Sequence, residues 1–154
     1  MMNPAVELHH VFLRDGGDTG KLIGQFDWSA TSLGPSASWP DGMKSVVAML
    51  VRSDLAMVTL WGEEGVMIYN DAYAAVAGDR HPALLGSKVR EGWAEAADFN
   101  DHVMKVGLSG KTLNFVDTEL TLLRNGRNEQ VWMNLDYSPL IGADGRPCGV
   151  LAIV

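Results

Sequence analysis

Cysteine is all but missing. Cys148 is the single one in 154 residues, which excludes an internal disulfide and any paired-cysteine zinc or redox site and points to a reducing compartment. Clustered positive charge is missing as well. Twelve Lys and Arg stand against nineteen Asp and Glu, a formal net charge of −7, and no basic run exceeds two residues. Proteins hold nucleic acid by displacing counterions with clustered Lys and Arg, so that role is not expected. No apolar run approaches the roughly 20 residues of a membrane span, and the first residues lack the apolar core of a signal peptide. Sequence patterns of the GxSxG, HExxH or phosphate-loop type are absent too. With 47% hydrophobic and 20% charged residues, the balance is that of one globular domain large enough to bury a core. A soluble, cytoplasmic domain is expected.

The most informative stretch runs from Ala56 to Tyr73. Met57-Val58-Thr59-Leu60-Trp61 and Val66-Met67-Ile68-Tyr69 are β-forming runs, joined by Gly62-Glu63-Glu64-Gly65. They predict a hairpin. Asn70-Asp71 stops the second run and suits a helix cap. A short helix over Ala72–Ala77 follows, ended by Gly78.

Upstream, Val6, Leu8, Val11 and Phe12 form one weak apolar face before a break at Asp15-Gly16-Gly17-Asp18. His9-His10 reads as an exposed polar pair, since adjacent side chains on a helix diverge by about 100°. Residues 26–40 are punctuated by Pro, Ser and Gly yet carry Trp28 and Trp39, which suits an irregular segment pinned to the domain. Pro40 suits a first helical position. Met43, Val46, Val47, Leu50 and Val51 then follow the spacing of an amphipathic helix ending near Ser53.

Downstream come a turn-rich stretch from Asp79 to Gly86, a helical piece near Val89–Glu95, and a longer helix over Ala94–Leu108 whose end Gly107 and Gly110 fray. Thr112–Leu123 and Glu129–Leu140 are β-forming, with Asn125-Gly126 the strongest short hairpin signal between them. Met133, Leu135 and Tyr137 alternate with Trp132, Asn134 and Asp136. Gly142–Gly145 turns the chain into a last strand, Pro147–Val154. Two strands, helices, then three antiparallel strands define an α+β class. The last residues lie inside an apolar run, from which a longer parent protein with a following output part is expected.

Strand, tight turn, strand and an immediate Asn-Asp helix start resemble the opening of a PAS domain, the sensory module of bacterial signalling proteins. The DWSAT-LGP-SWP lead-in resembles that of PAS-containing histidine kinases, and Gly86–Trp93 the short helices beside a PAS pocket. The resemblance implies a five-stranded antiparallel sheet with helices on one face over residues 54–154, preceded by a helical lead-in over 1–53. It also implies a small-molecule cavity between helices and sheet. Its walls would include Met57, Val103, Phe115, Met133 and Leu135, with the rings of Trp61, Tyr69, Tyr73, Trp93 and Tyr137. Most are apolar with a few polar tips, as a ligand site requires; filling a solid core is the alternative.

Flavin-binding relatives carry a cysteine on a helix beside the flavin, and no cysteine lies between Met57 and Leu140 here, which argues against covalent flavin photochemistry. Haem-binding relatives use a His on or just after the long helix. His102 stands there, although a solvent-facing or core His is the simpler reading. Partners implied are a second copy through the Met43–Val51 helix, an unidentified small molecule, and a kinase or other output module further along the chain. That helix stripe equally suits a core-facing role. Rival readings are a ligand-free dimerisation or docking module, and a small α+β enzyme with His102 or Asp117 as its titrating group. Asp117 and Glu119, two apart on a strand, would share a face, and a solvated face is the simpler reading. Cys148 is expected as a buried apolar filler.

Overall fold

Strands β1 (Met57–Trp61), β2 (Val66–Tyr69), β3 (Leu113–Arg124), β4 (Arg127–Ile141) and β5 (Pro147–Ile153) form one antiparallel sheet in the order β2-β1-β5-β4-β3 in the computed structural model, which describes residues 10–154. Val6, Leu8 and His9 lie outside the described residues. The last strand therefore runs down the middle, pairing Leu60 with Val150 on one side and Tyr137 with Ala152 on the other. This placement joins the opening hairpin to the closing one.

The hairpin between β3 and β4 turns where expected. Asn125 and Gly126 both take positive φ, 54° and 78°, the pair of left-handed residues that a two-residue hairpin needs. Earlier in β3 the register slips between Phe115 and Thr118, with Asp117 at φ 48° and its N–H donating to Asn134 Oδ1 at 2.9 Å. This β-bulge inverts the in–out phase of the strand. Phe115 faces inward before it; Leu120 and Leu122 do so after it. Asp117 and Glu119 are both exposed, on a solvated surface.

Helices α3 (Asp71–Ala77), α4 (Val89–Gly92) and α5 (Ala97–Leu108) gather over one face. Gly107 does not fray α5. A Cβ there would lie 2.4 Å from Val150 Cγ2, so the glycine lets the helix lie directly on β5. Segment 86–89 covers the backbone edge of β2 through Gly86 N–H to Met67 O and Met67 N–H to Ser87 O, protecting an edge otherwise open to pairing.

The lead-in holds helices α1 (Gly17–Gln25) and α2 (Asp41–Arg52). Pro40 is the residue before α2 rather than its first. Trp28 and Trp39 meet edge to face at 5.3 Å, and their indole N–H groups donate to Ile23 O and Gly34 O. Both are buried, so the two tryptophans pin the irregular segment as expected. Met43, Val47, Leu50 and Val51 of α2 are also buried within the chain. The apolar stripe is therefore core-facing, and it is not presented as a seam for a second copy; the exposed apolar residue of that helix is Met49. Cys148 corrects another expectation. It is exposed rather than buried, with its thiol near Leu140 O at 3.4 Å, because it is the residue left out of the ladder where the β4–β5 register shifts between Leu140 and Ile141. No described helix is long and apolar enough to cross a membrane.

Candidate functional site

Asn70, between β2 and α3, fixes the geometry of the site. Its Oδ1 accepts from Tyr73 N–H at 3.0 Å, the expected cap, and from Met57 N–H at 3.2 Å. Its Nδ2 donates to Leu50 O, Ser53 O and Leu55 O at 3.0, 3.2 and 2.7 Å. A single wholly buried side chain thus starts α3, anchors β1 and secures the end of α2. Tyr73, on the first turn of α3, is thereby aimed at the sheet.

Between the sheet and helices α3–α5 lies a cavity of about 60 Å³. Val58 and Leu60 of β1, Met67 of β2, and Met133, Leu135 and Tyr137 of β4 form its floor. Tyr73, Trp93, Phe99 and Asn100 close it from the helix side. Trp93 Nε1 donates to the Tyr73 hydroxyl at 3.1 Å. Burial pushes Tyr73 up to about 12, against the Trp93 hydrogen bond and the nearby Arg80 charge. Tyr137 is raised further, by burial first and by the neighbouring Tyr73 second. Both hydroxyls stay protonated at neutral pH. Asn100 spends its Nδ2 on Ala96 O at 3.2 Å.

Of the residues expected to line the cavity, Tyr73, Trp93, Met133, Leu135 and Tyr137 do so. Six do not. Met57 and Trp61 point to the other face of β1, where Trp61 Nε1 donates to Thr59 Oγ1 at 2.8 Å; Val58 and Leu60 take their place. Tyr69 shares the cavity face but stands behind Tyr73, with ring centroids 5.2 Å apart and its hydroxyl 2.7 Å from His81 Nδ1. Phe115 stacks beside the cavity on Phe99 at 5.2 Å. Val103 is buried one turn along α5, outside the lining, and His102 is exposed on that helix's outer side. An axial role for His102 in this cavity would need the helix to turn about its axis. Asp117, the other candidate titrating group, is exposed in the bulge.

Arg80 was not foreseen. Its guanidinium lies 4.5 Å over the Trp93 ring, donates to both Glu95 carboxylate oxygens at 2.8 and 3.1 Å, and reaches Leu123 O at 2.8 Å and Gly92 O. Beside it, Asn125 N–H donates to Asp79 Oδ1 at 2.6 Å and Asp79 N–H to Asn125 Oδ1 at 3.2 Å. The tip of the β3–β4 hairpin is thus tied to the turn after α3. No local spacing announces this, since the partners lie more than forty residues apart.

An antiparallel sheet ordered 2-1-5-4-3, cupped by short helices around a small cavity, is the PAS fold, and this chain has it. Solved structures agree. The PAS domain of Bordetella pertussis BvgS superposes with a TM-score of 0.56 at 17% identity, over 74% of this chain and 85% of that one. A variant of RsLOV gives 0.56 at 19% identity, over 73% and 65%. The Rhodobacter sphaeroides LOV protein gives 0.52 at 21%, over 73% and 65%. The match thus spans just under two thirds of either LOV chain. At these identities the likeness is one of fold. No protein-family model and no curated protein sequence matches the chain.

Proposed function

We propose that this chain is the sensory module of a bacterial histidine kinase or related signalling protein, with 1–53 as lead-in and 54–154 as the sensing unit. A small molecule bound between helices and sheet shifts their packing, and the central strand β5 passes the shift to an output module that follows. The domain itself performs no chemistry. The observation carrying this reading is the cavity itself. It is bounded on one side by the short helices and on the other by strands that include β5, through Ala152. A ligand there touches both movable elements and the strand closest to a downstream module. The lead-in residues 26–40, whose pattern resembles that of PAS-containing kinases, support the choice of parent. A homodimer fits the reading, formed through surfaces other than the buried α2 stripe.

Native mass spectrometry of freshly purified protein tests the proposal. A mass increment that is lost on denaturation supports it. A chain carrying no increment, and unresponsive to any small molecule, favours the docking-module alternative.

A further inference from the structure

Building on the sensory reading, we infer that the cavity takes an uncharged molecule smaller than benzene that presents an acceptor oxygen to the hydroxyls of Tyr73 and Tyr137. Size is the first restriction. An engineered apolar cavity of about 150 Å³ in another protein accommodates benzene, and this one measures about 60 Å³. Sites for larger cofactors run to about 300–1,000 Å³, so flavin or haem would require the walls to move apart.

Charge is the second restriction. Not one residue lining the cavity is Asp, Glu, Lys, Arg or His. Arg80, whose guanidinium lies over the Trp93 ring, is already engaged by Glu95 and by the carbonyls of Leu123 and Gly92. A carboxylate entering the cavity would leave water without meeting a counter-charge. A cation would be repelled by Arg80, which also occupies a face of the Trp93 ring.

Polarity is the third. The Tyr73 oxygen already accepts from Trp93 Nε1, so its own O–H is what remains to offer. Among the described residues the Tyr137 hydroxyl makes no hydrogen bond, and Tyr137 lines the cavity. With both groups protonated, the two tyrosines supply the donors of a largely apolar shell, while Asn100, also in the lining, has its Nδ2 engaged by Ala96 O and adds its oxygen as an acceptor. A ketone, amide or similar small carbonyl compound has the complementary form.

Acetone and acetate share one heavy-atom frame and differ in charge, so they discriminate directly. The full chain is titrated with each at constant ionic strength while the NMR signal of the Trp93 indole N–H is followed. Acetone is expected to shift it saturably in the millimolar range, with acetate at least about a hundredfold weaker. Tyr137→Phe, which keeps the ring, should weaken acetone by about three- to tenfold without altering the fold. An equal response to acetate overturns the inference and leaves the sensory reading standing with a charged ligand. Failure of acetone to move the signal overturns the inference too, and the sensory reading then rests on the native mass spectrum alone. Unchanged acetone affinity in Tyr137→Phe also overturns the assigned donor.

Discussion

Thr19 donates to one carboxylate oxygen of Asp71 twice, from its backbone N–H at 2.7 Å and from its hydroxyl at 2.5 Å. Asp18 N–H reaches the second oxygen at 3.2 Å. A residue in the first turn of α3 thus caps the N-terminus of α1 from across the fold, where helices carry unpaired N–H groups and partial positive charge. Helix α3 and the lead-in are joined at this point.

Asp71→Asn is therefore expected to destabilise the fold by about 1 kcal/mol. That is the low end for charge-assisted hydrogen bonds, because the carboxylate remains exposed to solvent. Burial alone would raise its pKa, but the hydrogen bonds from Thr19 and Asp18, with the nearby His81, together lower it. A depressed folded value means the stabilisation is complete above the unfolded carboxylate value of about 3.9 and is lost as pH falls through the folded one. Denaturant unfolding should show wild type and variant converging as pH drops below about 4.

Asn70 carries a heavier load. Its truncation in Asn70→Ala would leave three carbonyls and the Met57 and Tyr73 N–H groups without their side-chain partner. A loss of about 3 kcal/mol is expected. Asn70→Asp should not rescue it, because an acceptor would then face the carbonyls of Leu50, Ser53 and Leu55. Urea midpoints of the two variants check both statements.

Much of this was legible from local chemistry. The Asn70 cap, the Asn125-Gly126 turn and the alternation of β4 each depend on a few adjacent residues, and each appears as the sequence indicates. The cavity wall on β1 was not legible, because β1 is buried on both faces. Without alternation, nothing in Met57–Trp61 says which parity faces the helices, and the odd residues Met57 and Trp61 turned out to face away. The bulge at Asp117 hid the phase of β3 in the same way, so that Leu120 and Leu122 were missed. Arg80 and Asp71 act through partners distant in sequence, and α1 lies in a stretch too poor in apolar residues to betray a helix.

Arg80→Lys should behave as a loss rather than a conservative change. An ammonium cannot serve Glu95, Leu123 O and Gly92 O together while lying flat on Trp93. About 2 kcal/mol of stability is expected to go in either Arg80→Lys or Arg80→Met. Amide hydrogen exchange should quicken first at the hairpin tip around residues 123–127.

Filling the cavity separates stability from the proposed binding. Ala152 is buried on β5 and lines the cavity. Ala152→Val adds apolar bulk into that space on a residue suited to strands, so a gain of about 1 kcal/mol is expected. The same variant should lose its response to acetone. Thermal unfolding and the Trp93 titration give the two readouts.

The claim that cavity occupancy is felt by the central strand β5 is tested most directly by hydrogen exchange with and without saturating acetone. Slower exchange in α5 and in Val150–Ile153 of β5 together is the predicted result. Protection confined to the cavity-lining helices, with β5 unchanged, would contradict the account.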